Sequence, residues 1–276
     1  MNTLIVDYRH YGKCLFIEKG DITLGIPLEL GIRIIYLSYQ RGDNLFFEQP
    51  KDMKALSTED GWRVLGGHRL WIAPESPKNY KPEFEPITYE CREDKIILTQ
   101  NNDDWLGVQK SLEITFEDDN LVQVKHIIKN TSNKTQTFSP WAISSMDFGG
   151  IEYIPLKYRD NGYDPLHRIS MWDYTSLGDD RAEYSRELIK LSHKNNSKKY
   201  KIGVGHPNGS IKYVNKGVVF EKIYDICEDK KYPDGDVSFE TFMCDYMVEI
   251  ESLAPLCEVK SGESVSHIEK WLLNKE

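Results

Sequence analysis

The segment Gly66-Gly67-His68-Arg69-Leu70-Trp71-Ile72-Ala73-Pro74-Glu75 holds the densest run of chemically capable side chains in the chain. Two adjacent glycines let a backbone turn sharply or lie close against another segment. Arg69 offers a planar fan of donors that suits sugar hydroxyls or a carboxylate. Trp71 offers a flat face for the C–H side of a pyranose ring, and Glu75 an acceptor for hydroxyl protons. An ordinary imidazole titrates near neutral pH, which makes His68 a candidate acid. The alternative is a β-bulge with a buried Arg–Glu pair, and residue types alone leave both readings open.

A second aromatic group comprises Trp141, Trp172 and Tyr174, with His167 and Arg168 close by in sequence. A single aromatic in a β protein is usually core. Several of them beside charges point to a carbohydrate cleft, with Arg168, Trp141 and Trp172 as candidate binding residues. The clearest carboxylates lie in Phe239-Glu240-Thr241-Phe242 and Glu249-Ile250-Glu251-Ser252. On a strand, Glu249 and Glu251 share one face and Ile250 takes the other. Facing a cleft, Glu240 or Glu251 would serve as a general base with a raised pKa. Glu249 reads as an outward, solvated charge.

The elements that must position these residues are strands. Runs at 33–39, 96–100, 111–116 and 122–128 are short, β-branched and often alternating. Leu112, Ile114 and Phe116 alternate with polar Glu113 and Thr115, as a sheet with one wet face requires. Glu117-Asp118-Asp119-Asn120 then predicts a hairpin turn. The pattern continues through 200–204, 211–214, 218–226, 237–244, 247–253 and 264–273. On the order of fifteen strands are too many for one flat sheet. The prediction is therefore an all-β fold, a large antiparallel sandwich forming a single domain over 1–276. Residues 50–56 predict one or two helical turns, and 181–191 fits helix and strand equally.

Composition excludes several functions. The net charge of −9 repels phosphate backbones and anionic membranes, so neither nucleic acid nor membrane is an expected partner. The amino-terminal residues carry charge early and lack an apolar signal core. Five widely spaced cysteines with no CxxC pair suit reduced thiols, and a cytoplasmic location is the expectation. There is no P-loop, G-x-S-x-G elbow or H-E-x-x-H, and the glycines of Gly203-Val204-Gly205 are followed by His206-Pro207, where a dinucleotide fingerprint would open a helix. No metal is expected from seven scattered histidines. Asp234, Asp236 and Glu240 lie in too short a loop for an EF-hand and read as a tight turn.

Gly31-Ile32-Arg33-Ile34-Ile35-Tyr36-Leu37 resembles the G-G-R-I-x-x-L opening of the aldose 1-epimerases, the galactose mutarotases. Gly66–Leu70 lies where those enzymes carry a sugar-binding arginine, which Arg69 matches. Glu251-Ser252 and the later Ser261-Gly262-Glu263 resemble their closing strands. Over nearly the whole length the chain is more similar still to an uncharacterised bacterial family of the mutarotase superfamily. The resemblance implies a mutarotase supersandwich, a sugar ligand and no cofactor. It also shows departures. The family's catalytic-histidine strand corresponds to Thr137-Phe138-Ser139-Pro140-Trp141-Ala142, which puts Trp141 at the acid's place, and no L-H-G-G segment is present. Glu251 fits the local pattern of the family's glutamate, whereas Glu240 fits its distance to Gly262.

Three functions follow as expectations. The first is a mutarotase-like enzyme in which Glu251 or Glu240 takes the anomeric proton and His68 protonates the ring oxygen. The second is a sugar-binding protein with a degenerate site, and the third a lyase or hydrolase on uronic-acid glycans. The partner is a small carbohydrate, and the chain is read as a monomer or homodimer.

Overall fold

The structure, a computed structural model, describes residues 1–101, 105–158, 160, 162–163, 165–194 and 198–276. Strands account for 52% and helix for 4%, far from the roughly one-third helix of an average globular protein. A ten-stranded and an eight-stranded antiparallel sheet pack face to face. The strand count exceeds the sequence expectation because short edge strands such as Arg168–Met171 and Ala182–Tyr184 carry little pattern. A separate four-stranded sheet, not foreseen, gathers Asn2–Asp7, Lys13–Lys19, Ile22–Pro27 and Tyr36–Tyr39.

The predicted hairpin pairs Val108–Asp118 with Leu121–Asn130. Residues 181–191 resolve as strands, Ala182–Tyr184 and Leu188–Ser192. Residues 50–56 form turns without helix. The Gln49 side chain captures the Ala55 carbonyl at 2.8 Å, so that carbonyl is closed off by a side chain instead of a helical ladder.

The eight-stranded sheet carries the candidate site. Its path is Arg168–Met171, Tyr200–Gly205, Phe239–Met243, Val248–Leu253, Gln136–Met146, Gly67–Ala73 and Arg33–Ile34, with Cys257–Val259 paired to Gln136–Met146. Pairing sets Trp141 opposite Trp71 and Ile143 opposite Arg69 on one side, and Ile143 opposite Glu251 on the other. Glu240 pairs with Glu251, and Phe242 with both Glu249 and Lys201. Strand alternation therefore puts Arg69, Trp71, Trp141, Glu249, Glu251, Glu240 and Lys201 on one face. The double glycine makes this approach possible. At Gly67, with φ of +70°, an added Cβ would lie 2.3 Å from the Ile34 carbonyl oxygen.

The opposite face looks into the sandwich, and a buried polar network crosses there. His126 Nδ1 lies 3.1 Å from the His267 carbonyl, so it must donate, which leaves Nε2 as an acceptor. His68 Nε2–H then donates to His126 Nε2 at 2.7 Å, and Ser144 Oγ donates to His68 Nδ1 at 2.9 Å. Beside them Glu269 accepts from Lys222 at 2.8 Å, from Ser252 at 2.5 Å and from Trp271 Nε1 at 2.8 Å. Burial lowers His126 to about 4 and His267 to about 3. His68, His126 and Glu269 bring potential metal ligand atoms within 4.8 Å of one another. Each is already engaged in these hydrogen bonds, and the Lys222 ammonium occupies the carboxylate, so the cluster works as a cross-sheet tie.

Candidate functional site

A cavity of about 620 Å³ opens on the outer face of the eight-stranded sheet. Four tryptophans, Trp62, Trp71, Trp141 and Trp172, line it with Tyr80 and Tyr174. Trp71 packs edge-on against Trp141 with centroids 5.6 Å apart, and Trp62 against Tyr80 at 4.9 Å.

Two charged groups stand on the floor. In the first, Arg69 Nη1 donates to Glu249 Oε1 at 3.0 Å, and Ser145 Oγ donates to the same oxygen at 3.0 Å. The Arg69 guanidinium carbon lies 4.5 Å from the Trp71 ring centroid. In the second, Lys201 Nζ sits between the Trp141 and Trp172 rings, 4.7 and 4.6 Å from their centroids. It lies 2.8 Å from Glu240 Oε2 and 3.4 Å from Glu251 Oε2. Trp141 Nε1–H donates to Glu251 Oε2 at 2.9 Å.

Burial pushes Glu251 up to about 7, with Lys201 pulling the other way. Burial likewise raises Glu240, again opposed by Lys201. Burial works to lower Lys201, but Glu251 and Glu240 outweigh it and hold the ammonium raised. One ammonium neutralises one carboxylate, so the second holds a proton near neutral pH.

Several buried polar atoms at this floor have no hydrogen-bond partner among the described residues: Arg69 Nε, Trp71 Nε1, Glu251 Oε1 and the oxygens of Glu240, of which Oε2 is ion-paired with Lys201. Unpaired buried polar groups are costly and uncommon, and those of Arg69 and Trp71 belong to side chains that line the cleft, where a ligand or water can reach them.

Of the residues singled out by sequence, Arg69, Trp71, Glu75, Trp141 and Trp172 line this one cavity. Glu75 accepts from the Tyr80 hydroxyl at its rim. Glu240 and Glu251 belong to the same face but are fully buried beneath Lys201 and Trp141. His68 does not reach the cleft. It is one residue from Arg69 on a strand, so it points into the sandwich, fully buried against His126. Arg168 also lies outside, on an edge strand, paired with Asp236.

Sequence reasoning missed Lys201 and misjudged Glu249. Glu249 is 8% exposed and paired with Arg69, so it is not a solvated charge. The Arg–Glu pair imagined for Arg69 exists, but with a partner far along the chain instead of Glu75. The available signal for Lys201 was its place between Tyr200 and Ile202, a charge in an otherwise apolar strand.

No protein-family model matches the chain, and no curated protein does. Solved structures do. A galactose mutarotase-like protein from Lactobacillus casei superposes with a TM-score of 0.61 over 95% of this chain and 100% of its own, at 11% identity. One from Clostridium acetobutylicum gives 0.54 over 99% of each chain at 10% identity. A galactose mutarotase related enzyme from Lactobacillus acidophilus gives 0.53 over 95% and 97% at 11% identity. This chain has the galactose mutarotase-like fold. The resemblance read from short motifs thus holds at the level of fold. Within this mutarotase-like fold, no histidine among the described residues lines the cleft described above.

Proposed function

We propose that the protein binds a small carbohydrate in the aromatic-walled cleft. The observation that carries this is the convergence of four tryptophans on a floor whose Arg69 Nε and Trp71 Nε1 lack partners. Indole faces take the C–H side of a pyranose, while Arg69 and Glu249 address its hydroxyls. The cavity, at about 620 Å³, falls within the ~300–1,000 Å³ typical of small-molecule sites.

The reaction we assign to the site is of the aldose 1-epimerase type. A base takes the anomeric hydroxyl proton, an acid protonates the ring oxygen, and the ring opens and recloses. Glu251, at about 7, has the range suited to that exchange near neutral pH. It lies behind Lys201 and Trp141, however, and His68 is on the wrong side of the sheet. Trp141 Nε1–H is a donor that does not titrate usefully. These features favour a second reading, sugar binding with little catalysis. A positioned acid or base contributes roughly a hundredfold to ten-thousandfold, so activity on plain hexoses is expected to be slow.

Tryptophan fluorescence titration with monosaccharides tests binding, and quenching that saturates is expected. Polarimetry on freshly dissolved α-D-glucose and α-D-galactose tests catalysis. Mutarotation as fast as that of an ordinary mutarotase would overturn the slow-acid argument. No fluorescence change with any sugar would remove the carbohydrate reading.

A further inference from the structure

A second cavity, about 850 Å³ and more open, adjoins the first. The two share Thr58, Glu75, Tyr80 and Trp172 as lining. They are therefore two compartments of one groove, divided by the Trp172 and Tyr80 rings. Together they exceed the usual ~300–1,000 Å³ of a small-molecule site, more space than one sugar ring occupies.

Resting on the carbohydrate reading above, we propose that the ligand is an uncharged oligosaccharide. One ring lies on the Arg69–Glu249 floor, and the next stacks across Trp172 into the outer compartment. The lining chemistry selects this class. The outer compartment sets two cations, Lys78 and Lys81, against three carboxylates, Asp60, Glu75 and Asp234, a near balance with a slight acidic excess. Balanced charges supply donors and acceptors to hydroxyls without a field that favours an anionic ligand. The inner compartment is close to balance too: Arg69 and Lys201 are each paired to carboxylates, and the lining cations Arg69, Lys199 and Lys201 are matched in number by the lining acids Glu75, Asp245 and Glu249. A phosphorylated or uronic-acid ligand would call for an excess of cations, which the lining of neither compartment has. Trp172 joins the two halves: it is half-buried, lines both compartments and has Lys201 against its ring.

Isothermal titration on the full chain tests this with glucose, galactose and mannose, and with maltotriose, cellotriose, β-1,4-galactotriose and β-1,4-mannotriose. At least one trisaccharide is expected to bind about tenfold or more tightly than its own monosaccharide, which is about 1.4 kcal/mol or more. In a Lys78→Ala/Lys81→Ala variant, checked for folding by circular dichroism, that ratio is expected to collapse toward one. Equal affinity for a monosaccharide and its trisaccharides would overturn the oligosaccharide assignment and leave the carbohydrate reading standing. A ratio unchanged in the double variant would overturn the outer compartment as the second subsite. If no sugar of either length binds, the carbohydrate reading falls, and this assignment falls with it.

Discussion

Replacing Glu152 by glutamine is expected to make stability much less dependent on pH. Glu152 sits on the Ile151–Pro155 strand and is fully buried between the sheets. Its Oε2 accepts from Thr241 Oγ1 at 2.7 Å, while Oε1 has no partner among the described residues. Burial raises the group from 4.5 to about 8, partly offset by the Thr241 hydrogen bond. The folded state therefore holds this proton more tightly than the unfolded chain does. That contribution is fully present below the unfolded value of 4.5 and is lost as pH rises through about 8. At about 1.36 kcal/mol per unit, the loss over this window is about 5 kcal/mol. Glutamine stays neutral throughout and escapes the loss. Its amide N–H in place of the unpartnered oxygen costs about 1–3 kcal/mol at every pH, which shifts the curve without tilting it. Urea unfolding of both proteins at pH 5, 6, 7 and 8 is the assay. The stability of the variant relative to the parent should climb by up to about 1.4 kcal/mol per pH unit. Parallel curves would show that Glu152 is ionised and solvated in the folded state, and would refute the reasoning.

Two further substitutions probe the cleft floor. Arg69→Ala leaves Glu249 in the cleft without its cation and is expected to cost about 3 kcal/mol or more, measured by chemical denaturation; a loss under about 1 kcal/mol would mean the pair behaves like a surface bridge. The same variant should weaken sugar binding about tenfold or more through the lost charge-assisted donors. Trp141→Phe removes the donor to Glu251 Oε2 and should destabilise by about 1–3 kcal/mol; an unchanged thermal midpoint would show that Lys201 alone satisfies that carboxylate.

The strands were legible because the alternation of Leu112, Ile114 and Phe116 is a local signal, and pairing preserves it. The segment Gly66–Glu75 stood out for the same reason: its residue types are unusual together, and three of them meet in the cleft. What sequence could not give was depth and partner. Glu249 and Glu251 share a face as expected, yet whether that face is wet depends on the 55–62 loop and Trp172, which arrive from distant parts of the chain. Lys201 meets Glu240 and Glu251 only because the Phe239–Met243 strand, which carries Glu240, lies between the strands of Lys201 and Glu251. His68 lies away from the cleft, although it adjoins Arg69 in sequence, because neighbours on a strand face apart.

That alternation also separates the consequences of two kinds of genetic change. Along Gly67–Ala73, residues 69 and 71 belong to the cleft, whereas residue 68 belongs to the cross-sheet tie. Substitutions at 69 or 71 can therefore drift toward new ligands while the tie stays whole. A one-residue deletion upstream within the same strand would do the reverse, rotating Arg69 toward His126 and offering a histidine to the cleft. The cleft face can thus change side chain by side chain, at a cost borne locally, whereas a register change disrupts both faces at once, so new ligand preferences in such a chain should arise through exchanged side chains and altered rim loops, not through lengthened or shortened strands.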